Sequence, residues 1–328
     1  MHHHQPIVTV AQLGVGPIGA EIARLILTKP WLRLVAAVDT DPGKAGRDLG
    51  EVIGLGRTAG IVVTDRLTVK AEVVCHSTGS RLASELPVLE KLLERGSHVI
   101  STCEELSYPV DQGIRESLQK TARSHGVTLL GTGVNPGFVM DKLPLTLTAA
   151  CEQVHEIAIE RVVDASTRRA PLQRKVGAGM TTREFAEAVA AGRIRHTGLK
   201  ESLLMLANGL DLELATISEE IIEPVIAAAD FDTGVLKVRK GEVAGVHQTI
   251  SAGAANRTRL SLDLRMYVGA EKSRDTIVIK GLPDIKAVIE GGVHGDTATA
   301  AMVVNAIPRV LNAHPGLLSM DDIPVSFR

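Results

Sequence analysis

Two adjacent acids, Glu104 and Glu105, follow the short apolar run Val99 to Thr102. Such a run reads as a buried strand of a parallel sheet, and the loop leaving its carboxyl end faces the ligand crevice. A carboxylate is costly to desolvate without a role. One chemistry suits it there. A C=N bond takes hydride as the protonated iminium, a cation that a nearby anion stabilises, and the same anion takes a proton from an incoming ammonium. Reduction of a simple ketone asks instead for a proton donor beside the developing alkoxide, usually His, Lys or Tyr. The competing reading is a solvated acid at a helix start. Consecutive side chains diverge, so one of the pair is expected to act. Glu104, nearer the strand end, is preferred over Glu105.

The hexapeptide Gly14-Val15-Gly16-Pro17-Ile18-Gly19 fits G-x-G-x-x-G. It follows the β-branched run Ile7 to Leu13 and opens Ile18 to Leu27, whose apolar residues recur at helical spacing. Asp39 ends the next apolar run, 20 residues past Gly19. This context turns a weak pattern into a dinucleotide fingerprint. Glycines let the backbone approach a pyrophosphate, and the helix N-terminus favours its charge. The acid accepts hydrogen bonds from the adenosine ribose diol. Gly14, Gly16, Pro17, Ile18, Gly19 and Asp39 are therefore the expected cofactor residues, against a purely structural turn with a surface Asp. Asp39 and Asp41 repel a 2′-phosphate, which favours NAD(H); Lys44 and Arg47 leave NADP(H) open.

Further candidates sit at other run ends. Ser77, Thr78 and Ser80 follow Val73 to Cys75 and either contact cofactor ribose and phosphate or cap the next helix. Thr102 joins the cofactor set. Gly131-Thr132-Gly133-Val134-Asn135-Pro136-Gly137-Phe138 is a tight turn that presents Asn135 to the nicotinamide amide or serves only as a hinge. Phe138 and Met140 are pocket walls or plain core. One of Arg161, Arg168 and Arg169 is placed to receive a substrate carboxylate, with a salt bridge as the alternative. His294 precedes a helix and reaches the nicotinamide edge or acts as a cap. Glu219, Glu220 and Glu223 lack metal-site spacing, so no metal is expected.

The elements that position these residues come from periodicity. Up to about residue 140, short apolar runs alternate with helical segments, which implies βαβ units: a Rossmann-type doubly wound parallel sheet. After that, the longer runs Val154 to Val163, Ile217 to Ala227, Val243 to Ser251, Thr258 to Val268 and Thr276 to Ile279 read as strands. In Thr258 to Val268, Leu260, Leu262, Leu264 and Met266 share one face and Arg259, Ser261, Asp263 and Arg265 the other. A strand wet on one side belongs to an antiparallel sheet. This second α+β domain, built on a mainly antiparallel sheet, carries a capping-box helix from Thr181. Asp296 is the expected N-cap of a last helix that Pro308 ends or kinks. That helix should return to the first domain. Residues 1–138 plus 291–328 then form the dinucleotide-binding domain, and 139–290 the substrate-binding domain.

The 328 residues fit two domains. A formal net charge of −2 offers no footprint for nucleic acid or an anionic membrane, and 2% aromatics leave no base-stacking platform. No apolar run is long enough to span a bilayer. His2, His3 and His4 read as a tag remnant, with no apolar segment of a signal peptide. Cys75, Cys103 and Cys151 are odd in number and widely spaced, which suits a reducing cytoplasm.

Three stretches carry a resemblance: GTGVNPGFVMD (Gly131–Asp141), STCEELSYP (Ser101–Pro109) and HGDTATAAMVVNAIPRVLNAHPGL (His294–Leu317). Together they resemble the 2,4-diaminopentanoate dehydrogenase family, whose relatives include the native amine dehydrogenases. More distantly the chain looks like dihydrodipicolinate reductase and homoserine dehydrogenase. The resemblance implies NAD(P)-dependent oxidative deamination of an amine, or reductive amination of a ketone with ammonia. It also implies a catalytic Glu, carried onto Glu104, and a homodimer joined through the second domain. The dihydrodipicolinate reductase substrate signature is missing. The alternatives are a ketone or semialdehyde reductase of homoserine dehydrogenase type and a dinucleotide-sensing protein without turnover.

Overall fold

The computed structural model describes residues 7–168, 170–324 and 326. The His2 to His4 triplet and Arg169 lie outside them. The chain divides into two compact units, Met1–Phe138 with His294–Arg328, and Val139–Val293. The return crossing thus falls at Val293/His294, where the sequence placed it just before Gly291.

The first unit opens with β1 (Val8–Leu13), α1 (Pro17–Leu27), β2 (Leu32–Val38), α2 (Leu49–Val52) and β3 (Val63–Thr64). It continues with β4 (Val73–His76), α3 (Leu82–Glu94), β5 (His98–Ser101), α4 (Gln112–Ser124) and β6 (Thr128–Gly131). Strands β4 and β6 are buried along their whole length, as their unbroken apolar runs require of strands covered on both faces. Pro17 starts α1, where its missing N–H costs nothing, and Ile22, Ala23 and Ile26 make the buried stripe. Gly96, at φ 72°, follows α3. Leu89, Leu93, Val99, Leu118 and Leu129 share one core cluster under the sheet.

The second unit contains α5 (Lys142–Thr148), β7 (Gln153–Asp164), α6 (Ala170–Lys175), α7 (Thr182–Ala190) and α8 (Leu199–Gly209). Then come β8 (Leu214–Ile217), β9 (Ile221–Ile226), β10 (Phe231–Asp232), β11 (Lys237–Val238), β12 (Val243–Ala254), β13 (Arg259–Tyr267), β14 (Arg274–Leu282) and β15 (Ile285–Glu290). The large sheet runs β15-β14-β7-β13-β12-β8, with β9 also on β12. All its pairs are antiparallel except β13 with β7. Leu260, Leu262 and Leu264 of β13 are buried, as the alternation demands. Thr181 closes a reciprocal capping box with Glu184.

Three local readings change. Ile217 to Ala227 is two strands, β8 and β9, because β12 is long enough to pair with both in succession. The final helix, α9 (Gly295–Asn312), has His294 as its N-cap, while Asp296 sits in the first turn near the positive helix end. Pro308 does not end α9, the first of the two outcomes expected of it, but lies buried inside it. A proline there costs about 3 kcal/mol in isolation, and burial of Val303, Val304, Ile307 and Val310 offsets that cost. A last strand, β16 (Gly316–Leu318), joins β6 in parallel and completes the order β16-β6-β5-β4-β1-β2-β3.

Candidate active site

The carboxyl ends of β1, β2, β4, β5 and β6 converge on one sheet edge in the first unit. Gly14 has φ +85°, and a Cβ on it would lie 2.5 Å from the Ser77 carbonyl oxygen. A Cβ on Gly19 would lie 1.9 Å from the Gly14 oxygen. Gly16, the N-cap of α1, meets nothing within 4 Å on that side. Two of the glycines thus permit a tight turn, and the third leaves an open approach to the helix N-terminus. Gln12, fully buried, locks the turn by donating to the Gly14 oxygen at 2.8 Å and to Ser77 Oγ at 2.9 Å. Its Oε1 meets no donor among the described residues. An open helix end and a cradle that a Cβ would fill fit a phosphate-bearing cofactor.

Asp39 leaves the end of β2. Its Oδ2 accepts from Val15 N–H at 2.9 Å and from Lys44 Nζ at 2.9 Å, and its Oδ1 accepts from Asp41 N–H at 2.9 Å. Partial burial pushes the carboxyl up, but the Lys44 bond and the two backbone donors outweigh it and hold it below the ordinary carboxylate range. Lys44 also lies 3.6 Å from Asp41. Arg47 is engaged elsewhere, with Glu51 and the Gly43 carbonyl.

Glu104 and Glu105 form a single 3-10 turn, Glu104–Leu106, directly after β5, and both are half-buried. Gly131 makes room for the turn, because a Cβ there would lie 2.5 Å from the Leu106 carbonyl carbon. Glu105 Oε2 accepts from Leu82 N–H at 2.7 Å, so it serves the N-terminus of α3. The neighbouring Cys103 thiol is pushed up to about 12 by burial, with nearby acids adding to the shift, and stays inert.

The hydroxyls expected to meet cofactor are largely occupied within the protein. Ser77 Oγ donates to the Gly14 oxygen at 3.0 Å, and Thr78 Oγ1 donates to Glu85. Ser80 lends its carbonyl to Glu105 N–H. Thr102 is half-buried, and its N–H bonds the His76 carbonyl at 2.9 Å. Asn135 is 8% exposed in the turn after β6, where Val134 N–H reaches Thr299 Oγ1 at 3.2 Å. His294 accepts from Thr297 N–H, which is the capping reading. Phe138 is half-buried at the end of the first unit's opening segment.

Within the second unit, Met140 is fully buried. Arg161 follows the ion-pair alternative: its Nη1 lies 2.9 Å from both oxygens of Asp275, and its Nη2 donates to the Val293 carbonyl at 2.7 Å. The pair is buried and satisfied, not aimed at a ligand. Gln12, His76, Ser101 and Glu85 are the site residues that sequence reasoning passed over. For Gln12, His76 and Ser101 the available signal was a polar residue at or next to the last position of a buried apolar strand; Glu85, in the first turn of α3, carried none of that kind. Among the described residues, no group of three His, Cys, Asp or Glu could hold a metal, and no helix is long and apolar enough to cross a membrane.

A parallel sheet with a glycine turn after its first strand and an acid after its second is the architecture of a dinucleotide-binding oxidoreductase. The match to known proteins is more specific. Residues 138–327 match the model of the 2,4-diaminopentanoate dehydrogenase C-terminal domain. The chain is 31% identical to 2,4-diaminopentanoate dehydrogenase of Acetoanaerobium sticklandii, across 97% of this chain and 94% of that one. It is 25% identical to an amine dehydrogenase of Streptomyces virginiae, covering 95% of each. The solved amine dehydrogenase from Mycobacterium smegmatis superposes with a TM-score of 0.87 at 25% identity, covering 100% of this chain and 99% of that one. The chain belongs to the 2,4-diaminopentanoate dehydrogenase family.

Proposed function

We propose that this chain is an NAD(P)-dependent amine dehydrogenase. Its reaction is reductive amination of a ketone or aldehyde with ammonia, and the reverse deamination of a primary amine. Family membership supports the reaction class. The observation that carries the mechanism is the Glu104 turn, a half-buried acid on the same sheet edge as the glycine turn, with Glu105 engaged at α3.

A nicotinamide dinucleotide, when bound, supplies the hydride acceptor or donor. Gly14, Gly16 and Gly19 admit its diphosphate to the start of α1, and Asp39 takes the ribose diol. Glu104 removes a proton from ammonium or from the carbinolamine nitrogen. The ammonia so released adds to the carbonyl as the carbinolamine. The carbinolamine hydroxyl leaves as water with the proton that Glu104 returns to it, and the regenerated Glu104 carboxylate steadies the protonated C=N bond that receives hydride. NAD(H) is favoured by Asp39 and Asp41, and Lys44 beside Asp39 keeps NADP(H) open.

The assembly proposed is a homodimer through the second unit. Ile221 and Val288, both exposed, lie on strands β9 and β15 of its sheet, at either end of a polar cross-strand row of Thr249, Asp263, Glu160 and Thr276. Light scattering at micromolar concentration tests this, and a monomer would end it. Three free cysteines, two of them buried, suit a cytoplasmic protein.

Glu104→Ala should lower amination by about 10²- to 10⁴-fold while NADH binding survives. Glu105→Ala is the matched control, expected to act on stability. Parental amination rates in Glu104→Ala would remove Glu104 from the mechanism. A ketone panel with ammonia, run with NADH and with NADPH, defines substrate and cofactor; oxidation of NADH that proceeds equally without ammonia would refute amine chemistry.

A further inference from the structure

His76 ends β4 with its side chain fully buried, yet the proposed mechanism makes no use of it. Both ring nitrogens have partners. Nδ1 lies 2.8 Å from Ser101 Oγ. Nε2 lies 2.7 Å from Thr78 Oγ1 and 3.1 Å from Glu85 Oε2. Donor and acceptor counting assigns the tautomer. Ionised Glu85 can only accept, so Nε2 donates and Nδ1 accepts the Ser101 hydroxyl proton, while Ser101 Oγ accepts Cys103 N–H at 3.1 Å. Nε2 then carries the ring proton and shares it between Thr78 and Glu85, while the Thr78 hydroxyl donates to Glu85. Each member of the set is satisfied with a neutral ring and an ionised Glu85. The His76 bond, opposed by partial burial and helped by Thr78, holds Glu85 below the ordinary carboxylate range.

This chain of bonds joins two loops. At one end is Thr78, whose methyl would lie 3.0 Å from a Cβ on Gly14 and so walls the glycine turn. At the other is the backbone of Cys103, the residue before Glu104. The same loops are tied by Thr102 N–H to the His76 carbonyl at 2.9 Å and by Leu82 N–H to Glu105 at 2.7 Å.

We infer that His76 is a positioning residue with two separable limbs, one through Ser101 that sets the Glu104 turn and one through Thr78 and Glu85 that sets the wall of the cofactor cradle. The inference rests on the roles given above to Glu104 and the glycine turn. Asparagine places a polar atom near the Nδ1 position and glutamine near the Nε2 position, so each variant spares one limb. His76→Asn keeps the Ser101 limb. It should raise the Kd for NADH, read by fluorescence titration, about tenfold with kcat within about threefold of the parent. His76→Gln keeps the Thr78–Glu85 limb. It should lower kcat for amination about tenfold with the NADH Kd within about threefold.

Thr78→Val should raise the Kd and Ser101→Ala should lower kcat, and this second pair carries the test if the His76 variants fail to fold. Equal changes in Kd and kcat across all four variants, or parental values in all four, would overturn the inference. A Glu104→Ala enzyme that still aminates would sink the role of Glu104. The Kd arm needs no turnover and would still judge the Thr78–Glu85 limb.

Discussion

Each unit holds an aspartate and a cation 2.9 Å apart. Asp39 and Lys44 are 13% and 27% exposed in the first unit, and Asp275 and Arg161 are 1% and 4% exposed in the second. Equal distance conceals unequal roles. Burial pushes the Asp275 carboxyl up and the Arg161 guanidinium down, each against the pull of its partner. Both ions also grip the backbone of Val293, through its carbonyl and its N–H. That pair is fixed, because either ion alone would be stranded away from water. The Asp39 pair is wetter, and the ribose contact proposed for Asp39 requires it to trade a partner. Solvent access, more than separation, distinguishes the buried pair from the one proposed to meet the cofactor.

Four measurements test whether solvent access sets the two pairs apart. Arg161→Ala should cost about 3–5 kcal/mol in urea unfolding, since it leaves Asp275 buried and uncompensated; a loss below about 1 kcal/mol would erase the contrast. Asp39→Ala should weaken NAD(H) binding about tenfold in fluorescence titration and barely move the unfolding midpoint. Lys44→Ala should change stability by less than about 1 kcal/mol and weaken NADP(H) more than NAD(H). Equal loss for the two cofactors would remove Lys44 from any contact with the 2′-phosphate.

The pH response should have opposite signs. A carboxyl held below its unfolded value, such as Asp39, adds stability at neutral pH, and that stability is lost as pH falls through the carboxylate range. Asp275 is held above its unfolded value, so its ionisation subtracts stability as pH rises through and beyond that range. Comparing Asp39→Asn with Asp275→Asn at acid and neutral pH should show differences of opposite direction. The same sign in both would mean that burial does not dominate at Asp275.

The first unit was legible because its strands are short, apolar and closed by glycines at places where geometry demands them. Gly14 and Gly19 could be read directly, since a Cβ at either would strike backbone. The other misreadings have a common cause. Asp296 lost its cap position to His294, Pro308 stayed inside a helix, and Ile217 to Ala227 split in two because of partners far away in sequence. Propensity is local, and burial against a distant element outweighs it. Gln12 and His76 were passed over because a polar residue in a buried run looks like noise until its partner is known.

Local chemistry in the amino-acid order settled the strand-turn-helix start, the acid closing the second strand and the acidic pair after the fifth. Each depends on backbone sterics or on neighbours within a few residues. Only the folded chain decided that Glu105 serves a helix 23 residues away, that Arg161 is held by Asp275, and that His76 links two loops. Those outcomes depend on which charged and polar groups are carried out of water together, and sequence spacing does not encode that proximity.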